Sequence, residues 1–161
     1  VRLARAQGAP VELALYGAPD PSNRRAIDAA TLRAWSRDGI VWHGPTTDVA
    51  AVWAGHHVAC LPSRGGEGLP RTLLEAASCG RALVASDVPG CRSLVRDGVE
   101  GLLVPPNDAP ALAAALARLS GDAGLVAGLG AAARTRIETG GFTEAAVTDH
   151  VRALWRDLLE A

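Results

Sequence analysis

Short apolar runs alternate with longer segments whose apolar positions recur at helical spacing. Residues 11–16 run Val-Glu-Leu-Ala-Leu-Tyr and stop at Gly17. Similar runs follow at 40–43, 57–61, 81–85 and 101–104, each bounded by Gly or Pro or by a polar turn. These predict five strands, buried on both faces because they are continuously apolar rather than alternating. Between them lie predicted helices: about 24–37 (apolar at Ile27, Ala30, Leu32 and Trp35), 49–54 behind a capping Asp48, and 70–79 closed by Gly80. A short helical piece is expected near 92–96, and an Ala/Leu helix at 108–119 opened by Asp108. Helices at about 122–138 and 143–159 finish the chain. Strands alternating with helices predict an α/β fold: a Rossmann-like, doubly wound parallel sheet in one domain over 1–161, with 143–161 as a C-terminal helix. Residues 1–6 read as the tail of a helix closed by Gly8, so the expectation is a piece whose N-terminus is cut.

In doubly wound sheets the ligand sits beyond the carboxyl ends of the strands. The loops after Tyr16, His43, Leu61 and Ala85 are therefore the candidate site. The richest is Pro62-Ser63-Arg64-Gly65-Gly66-Glu67-Gly68-Leu69. Its glycines let backbone approach a ligand and let N–H groups converge on an anion, and the helix opening at Pro70 adds the positive end of its dipole. A plain strand-to-helix turn would use the same glycines. Glu75, on the second turn of that helix, stands among Leu73, Leu74, Ala76 and Ala77. A carboxylate beside a buried helix face needs partners. Arg71, four residues earlier, would serve as an ion-pair partner, and a ribose diol would serve as a ligand.

Composition narrows the chemistry. Hydrophobic residues make up 48% and the formal net charge is -1, which excludes a nucleic-acid surface and a disordered tail. All 16 basic residues are Arg, so no lysine of this chain can hold a phosphate, and GxxxxGK[ST] is absent. Cys60, Cys79 and Cys91 are odd in number and show no CxxC spacing, which argues against disulfides and zinc and for a reducing, cytoplasmic setting. No apolar run reaches the ~20 residues that span a bilayer.

The run Glu67-Gly68-Leu69-Pro70-Arg71-Thr72-Leu73-Leu74-Glu75-Ala76 resembles the E-x7-E motif of retaining GT-B glycosyltransferases of group 1 (family 4). Leu61-Pro62-Ser63 before it, residues 79–90 after it, and the stretch from Asp97 to Asp108 resemble the same family in the same order. The resemblance implies an enzyme, the donor-binding C-terminal half of a hexosyltransferase-type glycosyltransferase. Its donor would be a nucleotide sugar, UDP-linked by the flavour of 67–75 and 87–92, with GDP and ADP open. Glu67 would face the sugar as the catalytic carboxylate, and Glu75 would hold the ribose. The backbone at Gly66, Gly68 and Leu69 with Arg71 and Thr72 would hold the diphosphate, and His43-Gly44 would border the base. Pro70 stands where many members have Gly, which removes one N–H. The resemblance implies no metal and no cofactor besides the nucleotide sugar.

It also implies that the domain's first strand, the basic pair on the diphosphate and the acceptor domain lie outside this chain, so the chain by itself is expected to be inactive. The C-terminal helix is expected to pack on that other half, and any peripheral membrane contact is assigned there. The acceptor would be a saccharide or a lipid-linked saccharide of a bacterial surface polysaccharide. A UDP-sugar 2-epimerase on the same architecture, and a non-catalytic nucleotide-binding module, remain the alternatives. His56, His57 and His150 read as packing or surface residues, and Trp35, Trp42, Trp53 and Trp155 as packing residues. Asp87 reads as a turn residue. Arg64 is left between phosphate and solvent.

Overall fold

The computed structural model describes residues 1–23, 26–66 and 68–160. The elements, in chain order, are α1 (Arg2–Ala6), β1 (Leu13–Tyr16), α2 (Ala29–Trp35), β2 (Ile40–Gly44), α3 (Val49–Ala54), β3 (Val58–Leu61), α4 (Arg71–Ser78), β4 (Ala82–Ser86), α5 (Pro89–Arg92), β5 (Gly101–Val104), α6 (Ala109–Ser120), α7 (Ala123–Thr139) and α8 (Glu144–Glu160). The expected alternation is present, and most boundaries fall within one or two residues of expectation.

Two helices differ. The segment expected at 24–37 is helical only over Ala29–Trp35, because the Asp28 carboxylate accepts the Thr31 N–H and starts the helix there. Arg24 and Arg25 lie outside the described residues. The piece expected at 92–96 starts earlier, at Pro89, whose fixed φ suits a first turn. Asp48, Asp108 and Asp122 cap α3, α6 and α7 in the same way as Asp28.

All strand pairs are parallel, as expected, but they do not form one continuous sheet. β1 pairs with β2, and β3-β4-β5 form a separate ladder. Apolar runs dictate strands; which edges pair is a tertiary outcome, and no ladder joins β1 to β3 among the described residues.

The core is built around β4, all five of whose residues are buried. Successive side chains point to opposite faces. Leu83 and Ala85 join Leu73, Ala76 and Ala77 of α4, with Cys91, Leu94 and Val95, in one cluster. Ala82 and Val84 join Leu102, Val104, Ala115 and Leu119 in the other. Helix α7 closes both, giving Ala133 and Ile137 to the first and Leu129 to the second.

This closeness depends on glycine. A Cβ at Gly130 would strike the Gly80 carbonyl, so α7 reaches the start of β4 only without one. Gly130→Ala gains up to about 1 kcal/mol of helix propensity. Its clash is with backbone, which overpacking penalties of about 1–3 kcal/mol outweigh. The expected net result is a lower urea midpoint; an unchanged or higher midpoint would contradict the contact.

Cys60, on β3, forms no disulfide, and neither do Cys79 and Cys91. Burial pushes the Cys60 thiol up to about 11. Its thiolate is scarce at pH 8, so alkylation of the folded protein there should be roughly 100-fold or more slower than in urea, read by mass spectrometry.

Helix α8 has no buried residue. Val147, Val151, Leu154 and Leu158 form an exposed apolar stripe. Trp155, expected to pack, is 64% exposed. No residue of its helix is buried, so an aromatic that reads as core from sequence stays at the surface. Among the described residues no single helix is long and apolar enough to cross a membrane.

Candidate functional site

The loop after β3 is the candidate site, at the strand end where doubly wound sheets place their ligands. Gly65 and Gly66 have φ of 128° and 76°, a region where side-chain-bearing residues are strained. Among the described residues, chain neighbours apart, nothing lies within 4 Å of the position a Cβ would take at Gly66 or Gly68. Glu67 lies outside the described residues.

Pro70 is buried and forms the cap of α4, with an extended backbone (φ -71°, ψ 117°), rather than the helix's first residue. Its missing N–H costs nothing there. The amides of Leu73 and Leu74 both reach the Pro70 carbonyl, at 3.1 and 3.2 Å. Those of Arg71 and Thr72 have no acceptor within the helix, and among the described residues no side chain caps this end. Among the described residues of the helices with eight or more residues, α4 differs in this respect. Asp108 and Asp122 cap α6 and α7, and the Thr143 hydroxyl accepts the Ala146 N–H at the start of α8. Arg71, Thr72 and Leu69 are exposed around the open end.

Glu75 sits one turn further along. Its side chain is 37% exposed, at the rim of the buried stripe formed by Leu73, Ala76 and Ala77. The neighbouring residue names suggest a deeper burial. The 100° step between residues instead turns Glu75 partly out of the core. Its ion pair is with Arg71 at 3.6 Å, and Arg71 is 89% exposed. Such exposed (i, i+4) pairs contribute only a few tenths of a kcal/mol, so the carboxylate is free to exchange partners.

His43 and Gly44 stand at the carboxyl end of β2. The His43 ring lies flat on Tyr16, with centroids 4.8 Å apart and planes 10° apart. Gly44, at φ 75°, accepts the Gly17 N–H at 2.8 Å, which ties the ends of the two strands. No hydrogen bond, ion pair or ring contact joins His43 or Gly44 to Glu75 among the described residues. The site residues thus form two groups, each at the carboxyl end of its own sheet.

Other residues fall into place around them. His56 bonds the Val52 carbonyl and meets Tyr16 edge-on. His57 and His150 are exposed. Trp42 donates to the Gly17 carbonyl at 2.9 Å, and Trp53 packs on the core. Asp87 holds its turn through Arg92 at 2.9 Å.

Two features escape sequence reading. Tyr16 reads only as a strand end, although an aromatic at that end on the expected edge is a usable signal. Glu100 reads as part of a loop, yet it is fully buried. It accepts from the Arg96 backbone N–H at 2.8 Å and from its Nε at 2.9 Å, with Nη2 bonding the same carboxylate. Desolvation pushes its carboxyl up, but the Arg96 hydrogen bonds and charge outweigh this and hold it below its ordinary 4.5. This pair shapes the turn that feeds β5.

Residues 1–122 match the model of the family described as glycosyl transferases group 1. Among curated relatives, an exopolysaccharide phosphotransferase of Streptomyces coelicolor is 43% identical over 94 residues, covering 58% of this chain and 10% of that protein. A phosphatidyl-myo-inositol mannosyltransferase of Mycolicibacterium smegmatis is 44% identical over 80 residues, covering 50% of this chain and 21% of that protein. The chain thus spans about a tenth to a fifth of the length of these two relatives. Among solved structures, a sucrose-phosphate synthase from Thermosynechococcus elongatus superposes with a TM-score of 0.84 at 29% identity, over 98% of this chain and 41% of its own. Anabaena HepE in complex with UDP superposes with a TM-score of 0.84 at 22% identity, over 96% and 43%, a likeness of fold. With residues 1–122 of 161 covered by the family model, this chain belongs to the group 1 glycosyl transferases and carries the Rossmann-like α/β architecture of the GT-B fold.

Proposed function

We propose that this chain binds the nucleotide sugar of a retaining glycosyltransferase, with UDP as the nucleotide. The observation that carries the reading is the open N-terminus of α4, with unclaimed Arg71 and Thr72 amides and a half-exposed Glu75 one turn along the same helix. A diphosphate on those amides gains the helix dipole and two N–H donors without any lysine. The ribose diol then replaces Arg71 as the partner of Glu75 through charge-assisted bonds. His43, backed by Tyr16, borders the base, and Glu67 faces the sugar. Departure of the nucleoside diphosphate is stabilised by the same amides, which is where most of the electrostatic catalysis resides. No metal enters this scheme.

The acceptor is assigned to a saccharide or lipid-linked saccharide of a surface polysaccharide, and its site to polypeptide beyond these residues, as is any membrane contact. The chain in isolation is accordingly assigned donor binding without turnover, in a cytoplasmic setting. The structure of HepE with UDP and the curated glycosyltransferase relatives support this reading. Calorimetric titration with UDP, GDP and ADP tests it: saturable binding with UDP tightest is expected. Equal, weak heats for all three and for inorganic phosphate would instead favour a generic anion-binding module.

A further inference from the structure

The β1–β2 ladder slips at its carboxyl end. Leu15 faces Trp42, but Tyr16 faces Gly44. Bulges are rare in parallel pairs and over-represented next to active sites, where they re-aim a side chain. Here the surplus residue is His43. A regular ladder would set it opposite Tyr16; the slip leaves it with no partner on β1, so the ladder does not fix its direction. His43 is exposed, and among the described residues its ring has no hydrogen bond or ion pair. What holds it is the Tyr16 ring, with centroids 4.8 Å apart and planes 10° apart.

Tyr16, by contrast, is fixed from two directions. The residue after it, Gly17, is tied to β2 twice: its N–H donates to the Gly44 carbonyl at 2.8 Å, and its carbonyl accepts from Trp42 Nε1 at 2.9 Å. The Tyr16 ring also meets the His56 ring at 89°, with centroids 5.7 Å apart. His56 is itself anchored, its Nδ1–H donating to the Val52 carbonyl of α3 at 2.5 Å. Support thus runs from α3 through His56 and Tyr16 and ends on the imidazole of His43.

We propose that Tyr16 is a positioning residue for the nucleotide: it holds the His43 imidazole, surplus to the ladder, in the orientation whose outer face stacks on the base. The proposal rests on the reading above that His43 borders the base. An exposed imidazole with free side-chain torsions gives up that freedom when a base lands on it. One already stacked on a fixed partner has given it up on folding, so binding is not charged for it. Stacked aromatic pairs are favourable beyond the area they bury, which keeps the pair together before any ligand arrives. Tyr16 touches neither ribose nor phosphate in this arrangement. It therefore acts on the part of the affinity that depends on the base, while the open end of α4 takes a diphosphate with or without one.

Calorimetry on the full natural polypeptide that carries residues 1–161 tests this, with UDP and inorganic pyrophosphate as probes. Tyr16→Leu should weaken UDP about 5-fold, the cost of immobilising one side chain on binding, and leave pyrophosphate unchanged. Tyr16→Phe keeps the ring and should recover most of the lost affinity. His43→Ala should weaken UDP roughly 10-fold through the lost stacking surface. Adding Tyr16→Leu to His43→Ala should weaken UDP no further, because Tyr16 acts only through His43. Weakening of both probes by Tyr16→Leu, or additive losses in the double variant, overturns the proposal. Parent-like UDP binding by Tyr16→Leu beside weakened binding by His43→Ala also overturns it, and leaves the base site at His43 standing. Parent-like binding by His43→Ala removes that base site and the proposal with it. A measurement without ligand decides independently: the His43 ring protons should show an upfield ring-current shift by NMR in the parent and in Tyr16→Phe, and lose it in Tyr16→Leu. Its absence in the parent overturns the proposal whatever the titrations give.

Discussion

Arg96→Leu is expected to cost the fold about 3 kcal/mol, the low end of the range for breaking a buried ion pair. Glu100 is fully buried, and the substitution strips its carboxylate of the Nε and Nη2 donors. The Arg96 backbone N–H still donates, which limits the loss. For a chain of this length that corresponds to a melting temperature lower by roughly 6–12 °C. A drop below about 1 kcal/mol would show that Arg96, exposed at its far end, contributes little.

The pH dependence separates this account from simple loss of packing. In the parent protein Glu100 sits below its ordinary 4.5, so its contribution is present above that value and fades as pH falls through the depressed folded value. With the Arg96 guanidinium gone, the folded carboxyl loses its strongest lowering partner and moves upward, while the Arg96 backbone N–H and the charge of Arg136 still hold it down. The variant should then gain less stability than the parent between pH 4 and pH 7. Chemical denaturation at pH 4 and pH 7 reads the difference directly, and parallel curves for the two proteins would refute the mechanism.

Glu75→Ala should weaken UDP binding by about 100-fold, from the loss of charge-assisted hydrogen bonds worth about 1.5–3 kcal/mol. The fold should be nearly untouched, because the carboxylate is 37% exposed and, among the described residues, its ion pair is with an exposed Arg71. Glu75→Gln separates the role further: an amide oxygen still accepts, so binding should fall less than in the alanine variant. Calorimetry checks affinity and circular dichroism checks the helix. UDP binding equal to the parent's in both variants would remove the ribose from Glu75 and leave it as a surface ion-pair residue.

Much of the architecture is legible in the residues. Apolar runs bounded by Gly and Pro locate five strands, and β5 appears over Gly101–Val104 as expected. Asp48, Asp108 and Asp122 start their helices because a short acceptor side chain satisfies an N–H that the helix cannot. The E-x7-E run and its flanking stretches carry the family, which the match over residues 1–122 bears out. These signals are local, set by one side chain's reach or one strand's burial.

What the tertiary structure decided is non-local. Glu75 looks buried from its neighbours' names, yet helix phase turns it to the rim. Glu100 looks like a loop acid, yet packing seals it under Arg96. Trp155 looks like core, yet it lies exposed on a helix with no buried residue. The five strands look like one sheet, yet among the described residues pairing stops between β1 and β3. Composition and spacing act within a few residues of themselves, whereas burial, charge pairing and strand neighbours depend on which distant segments arrive. For the α4 site both levels were needed: local chemistry supplied Glu75, Arg71 and Thr72, and the fold left their helix end open.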